Sequence, residues 1–218
     1  MKRLYIVVEG QTEQEFVNSL IALYLQEFEI YSVTPVLIRT SRSGRGGMVN
    51  YQHLYNTIKM LLASSQTDFV VTTLIDFFRL PNDMPNYAES MAITDKTQCV
   101  EALENAIDES IGDSRFFSYI QLHEFEALLF SSNKGFEFHF SDEYANKTAS
   151  IISSYSNPED INSSPEGAPS KRLLAIKPDY NKVLEGNLIA LEIGINAIIE
   201  KCPRFAEWMN NIVEKCME

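Results

Sequence analysis

Acidic residues stand where three apolar runs of this chain end. Leu4 to Val8 leads straight into Glu9 in LYIVVEGQTEQEF, the run from Asp68 to Ile75 terminates in Asp76, and Arg115 to Gln121 leads to His123, Glu124 and Glu126 in HEFEALLF. Neighbouring strands lie about 4.8 Å apart, so acids at adjacent strand ends can share one cation without distorting the backbone. Magnesium or manganese suits such a place: magnesium accepts one or two carboxylates, keeps several waters and is completed by a substrate phosphate. The ion relieves repulsion among crowded carboxylates and stabilises charge at a phosphoryl centre. Glu9, Asp76 and one of Glu124 or Glu126 are the candidate ligands. Helical geometry sets Glu124 and Glu126 about 200° apart, which predicts that one of them faces inward.

Acids near strand ends also cap helices, and that reading competes with the chemical one. Thr12 to Glu15 fits S/T-x-x-E, in which the threonine hydroxyl and the glutamate side chain each bind a free backbone amide. Glu13 then serves the positive end of the helix dipole. Glu9 lies before that cap, so capping leaves it unexplained.

The elements that must position these acids follow from the hydrophobic pattern. Short apolar runs rich in β-branched residues, bounded by turn signals, mark strands covered on both faces. Four runs, Leu4 to Val8, Ser32 to Arg39, Asp68 to Ile75 and Arg115 to Gln121, alternate with helical patterns. That alternation predicts an α/β fold with a mostly parallel sheet of about four strands flanked by helices. Ligands of such sheets bind at the carboxyl ends of the strands.

Helices are predicted over about Glu13 to Phe28, with Phe16, Leu20, Tyr24 and Phe28 as core, and over Tyr51 to Ala63 and Lys96 to Ile111. FFRLPNDMPNYAESMAITD, directly after Asp76, reads as a long loop of the kind that forms a lid or binding segment. Beyond Phe130 the alternation stops, which predicts an α/β core over 1–130 and a helical extension over 131–218 packed on it. SSYSNPEDINSSPEGAPSKR reads as a loop with a short helix. Leu188 to Ile199 and a segment opened by Pro203 read as helices, the latter with an apolar stripe of Phe205, Trp208, Ile212 and Cys216.

Composition narrows the partners. Eighteen basic against thirty acidic side chains give a net charge of −12, so the molecule as a whole repels phosphate and any nucleic-acid contact must be local. Ile30 to Thr67 contains no acid yet carries Arg39, Arg42, Arg45 and Lys59. Arg42 and Arg45, beside Gly46 and Gly47, are candidate phosphate contacts, as are Lys171 and Arg172, which with Lys182 can reach the strand ends from the extension; a solvated face is the plainer reading of the latter three. No stretch approaches the roughly 20 apolar residues of a membrane helix, and the run after Lys2 and Arg3 is too short for a signal peptide. A cytoplasmic protein is expected.

Cys99, Cys202 and Cys216 are odd in number and far apart, which argues against a disulfide framework or a zinc cluster. His123 abuts two acids, and a hydrogen-bonded structural role is favoured for it over a ligand's. A phosphate-binding P-loop and a G-x-S-x-G elbow are both missing, so ATP hydrolysis through a P-loop and serine catalysis of that type are not expected.

VEGQTE, TLIDFF, HEFEALLF, PEDINSSPEGAPSKR and CPRFAEW together resemble the bacterial family called domain of unknown function 4276, over nearly the whole length. That family is similar to the Toprim superfamily, the metal-dependent fold of topoisomerases, primases and overcoming-lysogenisation-defect nucleases. The resemblance implies a Rossmann-like (Toprim-type) parallel sheet, Glu9 as the general acid or base after the first strand, and Asp76 as the first acid of a D-x-D metal motif. It also implies that Glu126, in its Phe-Glu pair, is the compensating ligand, because Phe78 stands where the second acid belongs. A magnesium- or manganese-dependent nuclease working beside a separate ATPase is the implied activity. Phe78 also leaves open a non-catalytic subunit of the same fold that binds a partner protein or nucleic acid.

Overall fold

Residues 2–40, 47–161 and 167–218 are described in the computed structural model. Strands β1 (Arg3–Val8), β2 (Val33–Leu37) and β3 (Phe69–Asp76) pair in parallel with two short strands, β4 (Phe116–Phe117) and β5 (Ile120–Gln121). The order is β2-β1-β3-β4, with β5 also on β3. Fold class is therefore α/β with a parallel sheet, as the alternating pattern predicts. Val8 pairs with both Leu37 and Leu74, and Asp76 with Gln121, so β1 and β3 finish along the same edge.

The expected single strand over Arg115 to Gln121 is interrupted at Ser118 and Tyr119. A side chain bridges the gap: Thr73 Oγ1 donates to the Tyr119 carbonyl at 2.8 Å and accepts from the Tyr119 amide at 2.7 Å. The buried backbone groups are thus satisfied without a ladder. Tyr119 stacks on Trp208 at a centroid distance of 4.5 Å, and the Trp208 indole donates to Thr72 Oγ1 at 3.0 Å.

Alternate residues of the strands face opposite layers. Leu4, Ile6, Val8, Val70 and Leu74 belong to one hydrophobic cluster, while Val7, Phe69, Val71 and Ile75 belong to another. The second layer is closed by α3 (Tyr51–Leu62) and α5 (Lys96–Ile111). Asn50 and Asp95 cap these helices by accepting from the amides of His53 and Gln98. Within the long loop expected after Asp76, residues Tyr87–Met91 form a short helix, α4.

On the first face, α1 (Gln11–Phe16) continues through a π turn, Val17–Ile21, into α2 (Ala22–Leu25) and a closing turn, Gln26–Phe28. Phe16 and Leu20 are buried, and Tyr24 and Phe28 pack partly buried against the core. The expected capping box does not form. Gly10 occupies the N-cap without a side-chain bond, because the helix already includes Gln11 and the Gly10 carbonyl accepts from the Gln14 amide. Thr12 and Glu13 consequently lie inside the first turn and are buried, while Glu15 is exposed.

The remainder is helical and richer in helix than the sequence pattern predicts. It comprises α6 (Glu126–Leu129), α7 (Lys134–His139), α8 (Asp142–Ile152), α9 (Pro169–Ile176), a π turn at Lys182–Gly186, α10 (Asn187–Ile193), α11 (Ile195–Lys201) and α12 (Pro203–Met217). Gly194, with φ of 82°, breaks the helix expected over Leu188 to Ile199 into α10 and α11. Phe136, Leu173, Ile189, Phe205 and Trp208 share the cluster that contains Leu4, Ile6 and Val8, so this segment lies directly on the sheet. Cys99, Cys202 and Cys216 are free and buried. Among the described residues no helix is long and apolar enough to cross a membrane.

Candidate functional site at the strand ends

Asp76 is the last residue of β3, and its backbone continues to pair beyond the strand: the amides of Phe77 and Phe78 donate to the carbonyls of Gln121 and His123. That pairing carries the segment after β5 alongside Asp76 and ends at the start of α6. Asp76 Oδ1 accepts from the Phe125 amide at 2.9 Å. Glu126 follows, buried to 1% exposure. His123 turns the chain with φ of 71°, and burial lowers its pKa to about 4, so it is neutral at physiological pH.

Glu9 follows the last residue of β1 and approaches from the neighbouring strand. Its Oε1 accepts from the Asp76 amide at 3.0 Å. Burial, reinforced by the charges of Asp76 and Glu13, raises the Glu9 pKa from 4.5 to about 8. Burial also raises Glu126, to about 7, with Asp76 adding to the rise and Lys182 opposing it. Glu13 enters from α1, its pKa likewise raised by burial and then by Asp76.

Among the described residues, one cation is in ion-pair contact with these acids. Lys182 Nζ stands 3.2 Å from Glu126 Oε2, 3.3 Å from Asp76 Oδ2 and 3.4 Å from Glu13 Oε1. Burial opposes its charge, but Asp76, then Glu126 and Glu13, outweigh that and hold the ammonium well above the ordinary lysine pKa. The turn carrying Lys182 is fixed against α1: Asn187 Nδ2 donates to the carbonyls of both Thr12 and Val183. Gly186, in the same turn, lies where a Cβ would come within 2.8 Å of the Tyr180 hydroxyl and 3.3 Å of the Phe125 ring.

Of the acids singled out from sequence, Glu9, Asp76 and Glu126 thus meet at one rim. Glu124 is engaged elsewhere, its carboxylate accepting from the Ser170 amide and hydroxyl, both at 3.0 Å, at the start of α9. Lys171 is exposed, and Arg172 donates to the Gly167 carbonyl and the Tyr155 hydroxyl, with no bond to the rim acids. Arg42 and Arg45 lie outside the described residues. Gly47 donates to the Glu9 carbonyl at 2.7 Å. Phe78, in the place of a second acid, is half-buried with the Arg79 guanidinium 5.2 Å from its ring centroid.

Glu13 was absent from the expected set, because the capping pattern accounted for it. Its four-residue spacing from Glu9 across the strand-to-helix junction was the available signal. Lys182, 106 residues from Asp76, does reach the strand ends, where a solvated face was the plainer expectation.

Among the described residues, no three His, Cys, Asp or Glu side chains are drawn together tightly enough to hold a metal ion as they stand. The donor set nonetheless fits a hard divalent cation. It is made of carboxylate oxygens alone, an ammonium already sits among them, and Glu126 Oε2 is buried without a hydrogen bond.

An α/β protein with an acidic site along the carboxyl edge of a parallel sheet is what fold and geometry define. The chain belongs to the family described as domain of unknown function (DUF4276), whose profile matches residues 8–213. Solved structures similar to it include the C-terminal region of the Burkholderia pseudomallei OLD protein, at 17% identity and TM-score 0.48, covering 98% of this chain and 99% of that one. The C-terminal region of the Xanthomonas campestris pv. campestris OLD protein is similar at 14% identity and TM-score 0.42, covering 96% and 97%. The comparison with curated proteins gave no match.

Proposed function

We propose that this chain is a Toprim-type, divalent-metal-dependent phosphoryl-transfer protein, a nuclease acting on DNA or RNA in bacterial defence or DNA transactions. The observation that carries the reading is the convergence of Asp76 and Glu126 on one cation position at the strand ends, with Glu9 bonded to the Asp76 amide. Asp76 and Glu126 would hold magnesium or manganese there, Glu126 making up for Phe78, with Glu13 beside them. The bound ion would neutralise charge at the phosphoryl group under attack. Glu9, bonded to the Asp76 amide beside these ligands, would serve as the general acid or base. Arg42 and Arg45 are proposed as phosphate contacts, since a chain of net charge −12 must meet nucleic acid locally. A cytoplasmic setting and a separate partner ATPase complete the reading.

Magnesium- or manganese-dependent cleavage of DNA and RNA by the wild type and Glu9→Gln tests it. Loss of cleavage in the variant is expected; equal activity in both, or none in either with a partner ATPase present, rejects it.

A second reading, a non-catalytic subunit that binds a partner protein or nucleic acid, is motivated by Phe78 and by the absence of a tight metal cluster among the described residues. Calorimetric titration with manganese separates the two, because a degenerate site binds it only weakly.

A further inference from the structure

Three carboxylates converge on the Lys182 ammonium at 3.2 to 3.4 Å, and Glu9 accepts from the backbone amide of one of them, Asp76. Ion pairs at a protein surface hold one carboxylate per ammonium and contribute little. Here the carboxylates come from three separate elements, and Glu13 and Glu126 are buried to 5% and 1% exposure. Glu126 Oε2 has no hydrogen bond, so Lys182 supplies its charge compensation without saturating it as an acceptor. Lys182 is itself 35% exposed and reaches the site on a flexible four-carbon stem. It is more exposed than any of the three carboxylates it faces.

We infer that Lys182 is the resident cation of the acidic site and must withdraw before Asp76 and Glu126 can close on a divalent ion. This rests on the metal-site reading above and adds what controls loading of the site. Carboxylates hold magnesium at about 2.0 to 2.1 Å, closer than they hold this ammonium, so the two cations compete for the same oxygens and repel each other across them. Divalent affinity is then reduced by the fraction of molecules in which Lys182 has moved away.

Calorimetric titration of the full chain with manganese chloride tests the inference on wild type, Lys182→Met and Lys182→Met/Asp76→Asn. Expected are weak binding by the wild type, affinity about tenfold or more higher in Lys182→Met, and loss of that gain in the double variant. Equal affinity in wild type and Lys182→Met, with Asp76 still required, overturns the displacement and leaves the metal site standing. No binding by either overturns both. Should Lys182→Met not fold, the wild type alone decides: with lysine labelled in ¹⁵N, the Lys182 ammonium resonance is expected to move when magnesium saturates the site. A resonance unmoved in the magnesium-bound protein overturns the inference.

Discussion

The backbone amide of Asp76 donates to Oε1 of Glu9 at 3.0 Å, across the seam between β1 and β3. Asp76 thereby fixes one acid with its main chain while its side chain faces the Phe125 amide and Lys182. One residue ties the β1 end, the α6 start and the Lys182 turn together. An unpaired carboxylate at such a junction would repel its neighbours, and the distribution of donors around it is what permits the crowding.

Asp76→Asn is expected to leave the fold intact, since the amide oxygen can still accept from Phe125. Any phosphodiesterase activity is expected to fall by at least about a hundredfold, the scale of losing a main electrostatic contact in a catalytic site. Cleavage assays paired with circular dichroism separate the two effects.

Stability is expected to fall as pH rises. Glu9 and Glu126 titrate at about 8 and about 7 in the folded chain against 4.5 for the free side chain, and Glu13 is shifted the same way. Between about 4.5 and 8 the folded state binds more protons than the unfolded one, so deprotonation favours unfolding through that window. Glu104, raised by burial to about 7, adds to the slope. Lys182 remains charged in both states over this range and adds none. Melting temperature in EDTA is expected to decline from pH 5 to pH 8.5, less steeply in Glu9→Gln; a flat profile would contradict the burial of these acids.

Glu124 and Glu126 are expected to part company on mutation. Glu124→Ala removes two hydrogen bonds at the start of α9 and should cost about 1 to 3 kcal/mol in denaturant unfolding. Its manganese affinity should match that of the wild type. Glu126→Gln is expected to lower that affinity about tenfold or more, comparable with losing a ligand-supporting contact.

Gly186→Ala places a methyl group 2.8 Å from the Tyr180 hydroxyl. Overpacking of this kind should destabilise by about 1 to 3 kcal/mol. The turn has to shift to relieve it, moving Lys182 relative to Asp76, so a change in manganese affinity is expected together with the stability loss.

Strand and helix periodicity were legible because one face of each element must exclude water: β1, β3, α3, α5 and α12 fall where the apolar pattern places them. The α7 and α8 helices were not, because loop-type residues are mixed through that segment and it packs against α9 and α10, which lie further along the chain. Glu9 stood out because no local role explained it. Glu13 did not, since Thr12 and Glu15 offered a local role that the earlier helix start removed.

By itself the sequence determined an alternating α/β core with acids at its strand ends, because backbone pairing and hydrophobic burial are written into neighbouring residues. Only the tertiary structure decided which acids meet, that Glu124 caps α9 while Glu126 faces the site, and that Lys182 supplies the opposing charge. Those relations depend on through-space distances between segments as far as 175 residues apart, set by how the helices after the last strand pack on the sheet.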